Sequence, residues 1–185
     1  MDAFLDLKNL ISKIESNKDG KRLATDLAIK QALAVIKRLK KHNKLIFLGN
    51  GGSASIASHI AIDFLKNAKT PAISFNDASL LTCISNDLGY EYVFQKPIEI
   101  LANAGDIVFA ISSSGRSKNI INAAKAAKSK GCFLITLSGF DKQNPLRKIG
   151  DINFYAPSCE YGDVEITHLI ICHEIVDKII ETKNG

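Results

Sequence analysis

Apolar residues recur at helical spacing along residues 1–43. Spacings of three and four residues place side chains on one face of an α-helix. The pattern therefore predicts that this region is wholly helical and forms two amphipathic helices. Two stripes carry the prediction: Phe4, Leu7, Ile11 and Ile14 in the first, and Leu23, Leu27, Ala28, Leu33, Ile36 and Leu39 in the second.

From Lys44 onward the pattern changes to short apolar runs separated by helical stretches, the last of which covers residues 163–180. Strands that alternate with helices form a parallel sheet covered on both faces. We therefore predict an α/β fold with a five-stranded parallel sheet, helices on both faces and N-terminal helices. The predicted strands are 45–48, 72–75, 107–111, 133–137 and 152–155.

Length and composition favour a single globular domain. The chain has 185 residues, 46% of them hydrophobic, which is enough for one core of ordinary size. Lys and Arg number 24 against 19 Asp and Glu. The densest basic group, residues 37–44, contains no aromatic residue and fits the end of a helix, where cations are favourable. Nucleic acid is therefore not an expected partner.

Cysteine usage and hydropathy point to a cytoplasmic protein. Cys83, Cys132, Cys159 and Cys172 are widely spaced and form no CxxC pair, as in proteins with reduced thiols. No apolar run reaches the roughly 18 residues of a membrane-spanning helix. The N-terminus carries acidic residues, unlike a secretory signal. We expect no membrane partner.

A glycine-rich turn follows the first predicted strand. Residues 49–53 read Gly-Asn-Gly-Gly-Ser and lead into a helix, whose N-terminus offers unpaired N–H groups. This arrangement suits an anion, although such turns also serve merely to bend the chain. The turn matches neither GxGxxG nor GxxxxGK[ST], so it indicates no dinucleotide or Walker-type nucleotide.

A serine-rich loop follows the third predicted strand. Residues 112–117 read Ser-Ser-Ser-Gly-Arg-Ser and combine four hydroxyls, a glycine, a cation and a helix N-terminus, which together form a phosphate cradle. The alternative is an ordinary helix cap, which needs only one of these serines. Ligands of parallel sheets bind beyond the carboxyl ends of the strands, so we predict that both loops face one ligand that carries a phosphate group.

Two pairs of polar residues could add chemistry to these loops. His59 and Asp63 are four residues apart and share a helix face, so they could chelate a metal, couple a base to an acid, or only hydrogen bond locally. Asn86 and Asp87 follow a predicted helix at 79–85 and offer polar groups at the rim of the site. Their alternative is a turn motif.

The last helix carries three further candidates. Glu165 and His168 share a face, whereas His173 lies about 80° round the helix from Glu165 and about 12 Å farther along its axis. A surface position is the expected one for His168. The separation of Glu165 and His173 predicts either that Glu165 precedes the helix proper or that neighbouring subunits share the site.

Four motifs, in order along the chain, carry a family resemblance. They are GNGGS at 49–53, SNDLGY at 85–90, AISSSGRS at 110–117 and VEITHLIICH at 164–173. On these motifs the chain resembles the sugar isomerase (SIS) domain family and, within it, the phosphoheptose isomerases. The similarity extends over essentially the whole chain, including the N-terminal helices.

The resemblance implies a fold, an assembly and an activity. The fold is a flavodoxin-like three-layer sandwich in which 44–185 form the SIS domain and 1–43 belong to the same domain and serve oligomerisation. The assembly is a homotetramer. The activity is interconversion of sedoheptulose 7-phosphate and D-glycero-D-manno-heptose 7-phosphate through an enediolate, for heptose in bacterial lipopolysaccharide or capsule.

The resemblance also implies roles for individual residues. Asp63, Glu165 and His173 are the implied catalytic groups, and the same three with His59 are the implied ligands of one zinc ion. The family more often has Glu at position 63 and Gln at 165, so this chain presents a different carboxylate set. The implied substrate contacts are Asn50, Gly51, Gly52, Ser53, Asp63, Asn86, Asp87, Ser112, Ser113, Ser114, Ser117 and Glu165.

Two other classes of function stay open at this point. The chain could be a non-catalytic regulator or adaptor that keeps the phosphate loops and binds a partner protein. It could also be another sugar-phosphate isomerase or a lyase on the same scaffold. The full set of acid-base residues favours an enzyme, because a regulator would not need that set.

Overall fold

The structure is a computed structural model that describes residues 3–184, with side chains described for residues 6–183. The side chain of Phe4 therefore lies outside the described residues. The helices are α1 (Ala3–Ser12), α2 (Thr25–Lys37), α3 (Gly52–Lys66), α4 (Ala78–Leu88), α5 (Gln95–Leu101), α6 (Lys118–Ser129) and α7 (Tyr161–Asn184). The strands are β1 (Glu15–Lys18), β2 (Lys21–Leu23), β3 (Leu45–Leu48), β4 (Ala72–Ser74), β5 (Ile107–Ser112), β6 (Phe133–Ser138) and β7 (Ile152–Tyr155).

All five predicted strands form, and they pair in parallel. The sheet has the order β2-β1-β7-β6-β5-β3-β4, with parallel pairing from β7 to β4. Two strands were not predicted: β1 pairs antiparallel with both β7 and β2. The sheet is therefore seven-stranded and mixed rather than five-stranded and parallel.

The two extra strands correct the prediction that residues 1–43 are wholly helical. Asp19 and Gly20 have φ values of 48° and 76°, the left-handed conformation that a tight two-residue hairpin turn requires. The hairpin places Ser16 and Asn17 in buried positions beside β7. The Asp-Gly pair was the sequence signal for this hairpin, and the helical spacing of the neighbouring apolar residues obscured it.

The sheet has a hydrophobic core on each face. Alternate residues of a strand point to opposite faces, so Phe47 packs with α2, α3 and α7, whereas Ile46 packs with α5 and α6. This confirms helices on both faces. Phe47 and Phe109, opposite each other on β3 and β5, stack with ring centroids 4.6 Å apart. Within residues 3–184, no helix is long and apolar enough to cross a membrane.

Most of the apolar stripe of α2 is buried within its own chain. Ala28, Ile29, Ala32, Leu33 and Ile36 belong to the core shared by α2, α3 and α7. Leu27, also part of the predicted stripe, is 45% exposed. Leu7 and Ile11 of α1 stay partly exposed.

His168 lies on the inner face of α7, where it is fully buried. Its Nε2 is 3.1 Å from the carbonyl oxygen of Ser138, to which it donates, while its Nδ1 has no partner within residues 6–183. Burial lowers the pKa of His168 to about 4, because the charged ring loses its hydration. The expected surface position is therefore wrong, since helical spacing alone does not say which face is covered.

The burial of His168 predicts a loss of stability in acid. The pKa is near 6.5 in an unfolded chain but about 4 in the folded one, so protons bind the unfolded chain first as the pH falls between these values. From pH 7 to pH 5, the free energy of unfolding should fall by about 2 kcal/mol more in the natural chain than in His168→Gln. Urea unfolding at both pH values measures the difference. Identical pH dependence in the two proteins would contradict it.

Candidate active site

The predicted loops meet at a reversal in the winding of the sheet. β3 and β5 are parallel neighbours, but β3 leads to β4 at one edge while β5 leads to β6 on the other side. Chain segments that leave adjacent strands in opposite directions open a crevice at the carboxyl ends of those strands. The glycine turn after β3 and the serine loop after β5 form the two walls of this crevice.

The crevice contains a cleft of about 230 Å³. Both predicted loops line it, and the first turns of α7 close it from above the sheet. A cleft of this size accepts a phosphate group with part of a sugar. The lining residues are Asn50, Gly51, Gly52, Ser53, Ile111, Ser112, Ser113, Ser114, Ser117, Tyr161 and Glu165.

The serine hydroxyls divide into two kinds. Ser112 Oγ accepts a hydrogen bond from the Gly115 amide at 3.2 Å, and Ser114 Oγ accepts one from the Arg116 amide at 3.2 Å, so these two shape the loop. Ser113 is only 5% exposed, and its Oγ has no hydrogen-bond partner within residues 6–183. A buried hydroxyl without a partner costs free energy unless a ligand supplies one.

The glycine turn brings the backbone close to the start of α3. A Cβ atom on Gly49 would lie 2.3 Å from the carbonyl oxygen of Ser53, so no larger residue fits there. Gly52 and Ser53, the first residues of α3, line the cleft, and the N-terminus of a helix favours an anion.

Glu165 reaches the cleft from α7. Its carboxylate lies so close to Gly52 that a Cβ atom at that position would be 2.3 Å from Oε2. Because α7 starts at Tyr161, Glu165 belongs to the continuous helix. The alternative in which Glu165 precedes the helix is therefore wrong.

His59, Asp63 and His173 form a separate cluster farther along α3 and α7. One donor atom from each lies within 4.8 Å of the others. Asp63 Oδ2 is 3.4 Å from His59 Nε2 and 4.0 Å from His173 Nδ1. The Asn67 amide donates to the other carboxylate oxygen at 3.1 Å, which helps to orient it.

The donors in this cluster fit a zinc ion. Zinc accepts imidazole nitrogens and carboxylate oxygens, and catalytic zinc has three protein ligands with the fourth position open. Glu165 was expected as a fourth ligand, but it lies against Gly52, outside the group of donors within 4.8 Å of one another. Three of the four predicted ligands therefore come together in this chain.

Three other predicted polar residues lie away from the cleft lining. Asn86 and Asp87 occupy the last turn of α4 rather than a turn after it, and both are exposed. Asn86 donates to Asp87 at 2.8 Å. Arg116, expected as the cation of the phosphate cradle, is paired with Asp141. The groups that the serine loop offers to a ligand are therefore hydroxyls and backbone N–H groups.

Two residues near the cleft were not predicted. Tyr161, the first residue of α7, lines the cleft next to Glu165. Asn119, in the first turn of α6, is 3% exposed and exchanges two hydrogen bonds with Asn50. A polar side chain at the start of the helix after the serine loop was the only signal for Asn119, and the sequence offered none for Tyr161.

The three-residue cluster makes a testable prediction about metal affinity. Asp63→Asn should weaken zinc binding by at least about tenfold, because it removes the anionic ligand. Glu165→Gln should leave zinc affinity unchanged, because Glu165 lies outside the cluster. Isothermal titration calorimetry on metal-free protein compares the two variants. An equal loss of zinc affinity in both variants would show that Glu165 is a fourth ligand.

Comparison with known proteins places the chain in a family. The sequence profile of the SIS domain matches residues 11–139. The phosphoheptose isomerase of Cytophaga hutchinsonii is 39% identical over 153 residues, 80% of each chain, and that of Helicobacter hepaticus is 40% identical over 163 residues, 84% of this chain and 82% of the relative.

Solved structures agree with the sequence relatives. Phosphoheptose isomerase GmhA from Neisseria gonorrhoeae superposes with a TM-score of 0.82 at 29% identity, over 95% of this chain and 92% of that one. A phosphoheptose isomerase from Francisella tularensis gives 0.82 at 27% identity, over 96% and 92%. The chain is therefore a member of the SIS domain family and belongs, within it, to the phosphoheptose isomerases.

Proposed function

We propose that the chain interconverts sedoheptulose 7-phosphate and D-glycero-D-manno-heptose 7-phosphate. Its kinship with the phosphoheptose isomerases makes it an isomerase. The observation that carries the proposal is the cleft itself, where the buried hydroxyl of Ser113 has no hydrogen-bond partner among residues 6–183 and lies between the loops that lead into α3 and α6. Such a site recognises a phosphate group without a basic side chain.

The distance from the cleft to the His/Asp cluster suits a seven-carbon sugar. Glu165 lines the cleft and His173 belongs to the cluster, and eight helical residues separate their backbones by about 12 Å. The eight bonds from C1 to phosphorus in an extended heptulose phosphate advance about 1.25 Å each and so span about 10 Å. A phosphate held by the serine loop would therefore leave C1 and C2 near the cluster.

The chain's own acid-base groups account for the proton transfer. Ketose and aldose interconvert when a proton leaves one of C1 and C2, an enediolate forms, and a proton returns to the other carbon. We assign the transfer to Asp63 or Glu165, with His173 as the partner that exchanges a proton with the substrate oxygen. The phosphate contacts hold these carbons in place while the proton moves.

His59, Asp63 and His173 are the residues that would hold a divalent ion, and zinc fits them best. When bound, the ion would supply positive charge that polarises the substrate carbonyl. The departures from the family at positions 63 and 165 leave this donor set intact, because Asp63 still contributes its carboxylate. Activity assayed after chelation and after reloading with zinc tests the requirement.

We also propose a homotetramer whose subunits share the active site. Several apolar side chains on α3 and α7 are about half exposed, among them Ile62, Leu65 and Ile166. Within residues 6–43, Leu7 and Ile11 of α1 are partly exposed and Leu27 of α2 is exposed, so these side chains offer contacts with another subunit. The four free thiols fit a cytoplasmic enzyme, and its product fits heptose supply for lipopolysaccharide or capsule. Sedimentation measures the assembly directly.

The hydroxyl of Ser113 gives the first prediction of this proposal. Ser113→Ala should raise KM about tenfold, because a phosphate oxygen loses a hydrogen bond. The same change should not lower Tm, because it removes a buried hydroxyl that has no hydrogen-bond partner among residues 6–183. Steady-state kinetics and thermal unfolding provide the two readings. Ser129→Ala, at the far end of α6, is the matched control, and an unchanged KM in Ser113→Ala would contradict the assignment.

The length of the site gives the second prediction. Sedoheptulose 7-phosphate should react with a kcat/KM at least about a hundredfold above that of ribulose 5-phosphate, because the shorter sugar cannot bridge cradle and cluster. Sedoheptulose without phosphate should react as poorly. Aldose formation from five-, six- and seven-carbon ketose phosphates measures the preference. Equal rates across chain lengths would overturn the assignment of substrate.

A further inference from the structure

The side chain of Asn50 connects the two walls of the cleft. Asn50 belongs to the glycine turn, and its amide pairs reciprocally with that of Asn119 at the start of α6. Asn50 Nδ2 donates to Asn119 Oδ1 at 3.0 Å, and Asn119 Nδ2 donates to Asn50 Oδ1 at 2.9 Å. This pair directly links the loop after β3 with the helix after β5.

A backbone group fixes which way both amides point. The N–H of Ile120 donates to Asn119 Oδ1 at 2.9 Å, so the oxygen of Asn119 must face that amide. Asn119 can then present only its nitrogen to Asn50 Oδ1. The orientation of the Asn50 amide therefore follows from the backbone of α6 through Asn119.

A third residue completes the network. The hydroxyl of Tyr90, which follows α4, donates to Asn50 Oδ1 at 3.0 Å. With Asn119 this makes two donors, which occupy both lone pairs of that oxygen. One N–H of Asn50 Nδ2 is used by Asn119, and the other is the polar group that Asn50 still offers at the cleft.

We infer that Asn119 is a positioning residue that holds Asn50 as a hydrogen-bond donor towards an acceptor oxygen of the sugar phosphate. Tyr90 supports the same orientation from the rim. The inference rests on the proposed function for the identity of the ligand. Asn119 is 3% exposed, so water cannot readily replace it once its amide is changed.

A double-mutant cycle tests whether Asn119 acts through Asn50. Asn119→Asp keeps an oxygen for the Ile120 amide but replaces the donor to Asn50 by an acceptor. It should lower kcat/KM for sedoheptulose 7-phosphate about tenfold in the natural background. In the Asn50→Ala background the same change should leave kcat/KM almost unchanged, because the side chain through which it acts is absent.

Two further variants separate an effect of net charge from an effect on the orientation of Asn50. Lys118→Gln alters net charge by the same amount at the neighbouring, exposed position, and it should change kcat/KM by less than about twofold. Tyr90→Phe removes one donor from an exposed residue without burying a charge. This change should lower kcat/KM about two- to threefold when Asn50 is present and should have almost no effect in the Asn50→Ala background.

The outcomes are distinct. Coupling between positions 119 and 50 supports the inference, whatever the change in Tm, because a loss of stability alone would be the same in both backgrounds. An equal cost of Asn119→Asp in both backgrounds, or no cost at all, overturns it in favour of a merely structural side chain. The same cycle measured as Kd for sedoheptulose 7-phosphate does not depend on turnover. A natural chain that binds but does not isomerise would therefore overturn the proposed function and still report the coupling.

Discussion

Parallel pairing of β3 with β5 is the interaction on which the site depends. The register joins Leu45 to Ile107 and Leu48 to Ala110, so both strands end at the same edge of the sheet. Stacked Phe47 and Phe109 fill the core beneath that edge. Since the chain leaves the two strands in opposite directions, the glycine turn and the serine loop face each other across the crevice. The reciprocal amides of Asn50 and Asn119 then lock the walls together.

The second constraint is the packing of α3 beside α7. Gly52 meets Glu165 near the start of both helices, and Asp63 meets His173 farther along. The first turns of the two helices therefore lie at the cleft, and later turns of the same helices carry the His/Asp cluster. In the function that we propose, this distance separates phosphate recognition from chemistry, so that binding energy at the phosphate positions the reacting carbons.

Much of this could be predicted from the sequence, because the signals were local. Each buried strand is a short apolar run, and each loop follows its strand directly, so the crevice and its serines were predictable. The predictions that were wrong concern residues whose sequence signal was hidden by a neighbouring pattern, or whose position depends on residues far away in the sequence. The Asp19-Gly20 turn sat between helical stripes, and the burial of His168 depended on which face of α7 meets β6. Glu165 lies apart from the three other expected metal ligands, and Arg116 pairs with Asp141. Both results depend on three-dimensional packing, which the spacing of residues in the sequence does not encode.

The central claim is that one substrate bridges the serine loop and the His/Asp cluster. Manganese bound in place of zinc would enhance the relaxation of the 31P nucleus of bound sedoheptulose 7-phosphate, and the enhancement gives the distance from metal to phosphorus. We expect about 10 Å, the length of an extended heptulose phosphate from its carbonyl end to phosphorus. A distance short enough for direct coordination of the phosphate by the metal would contradict it.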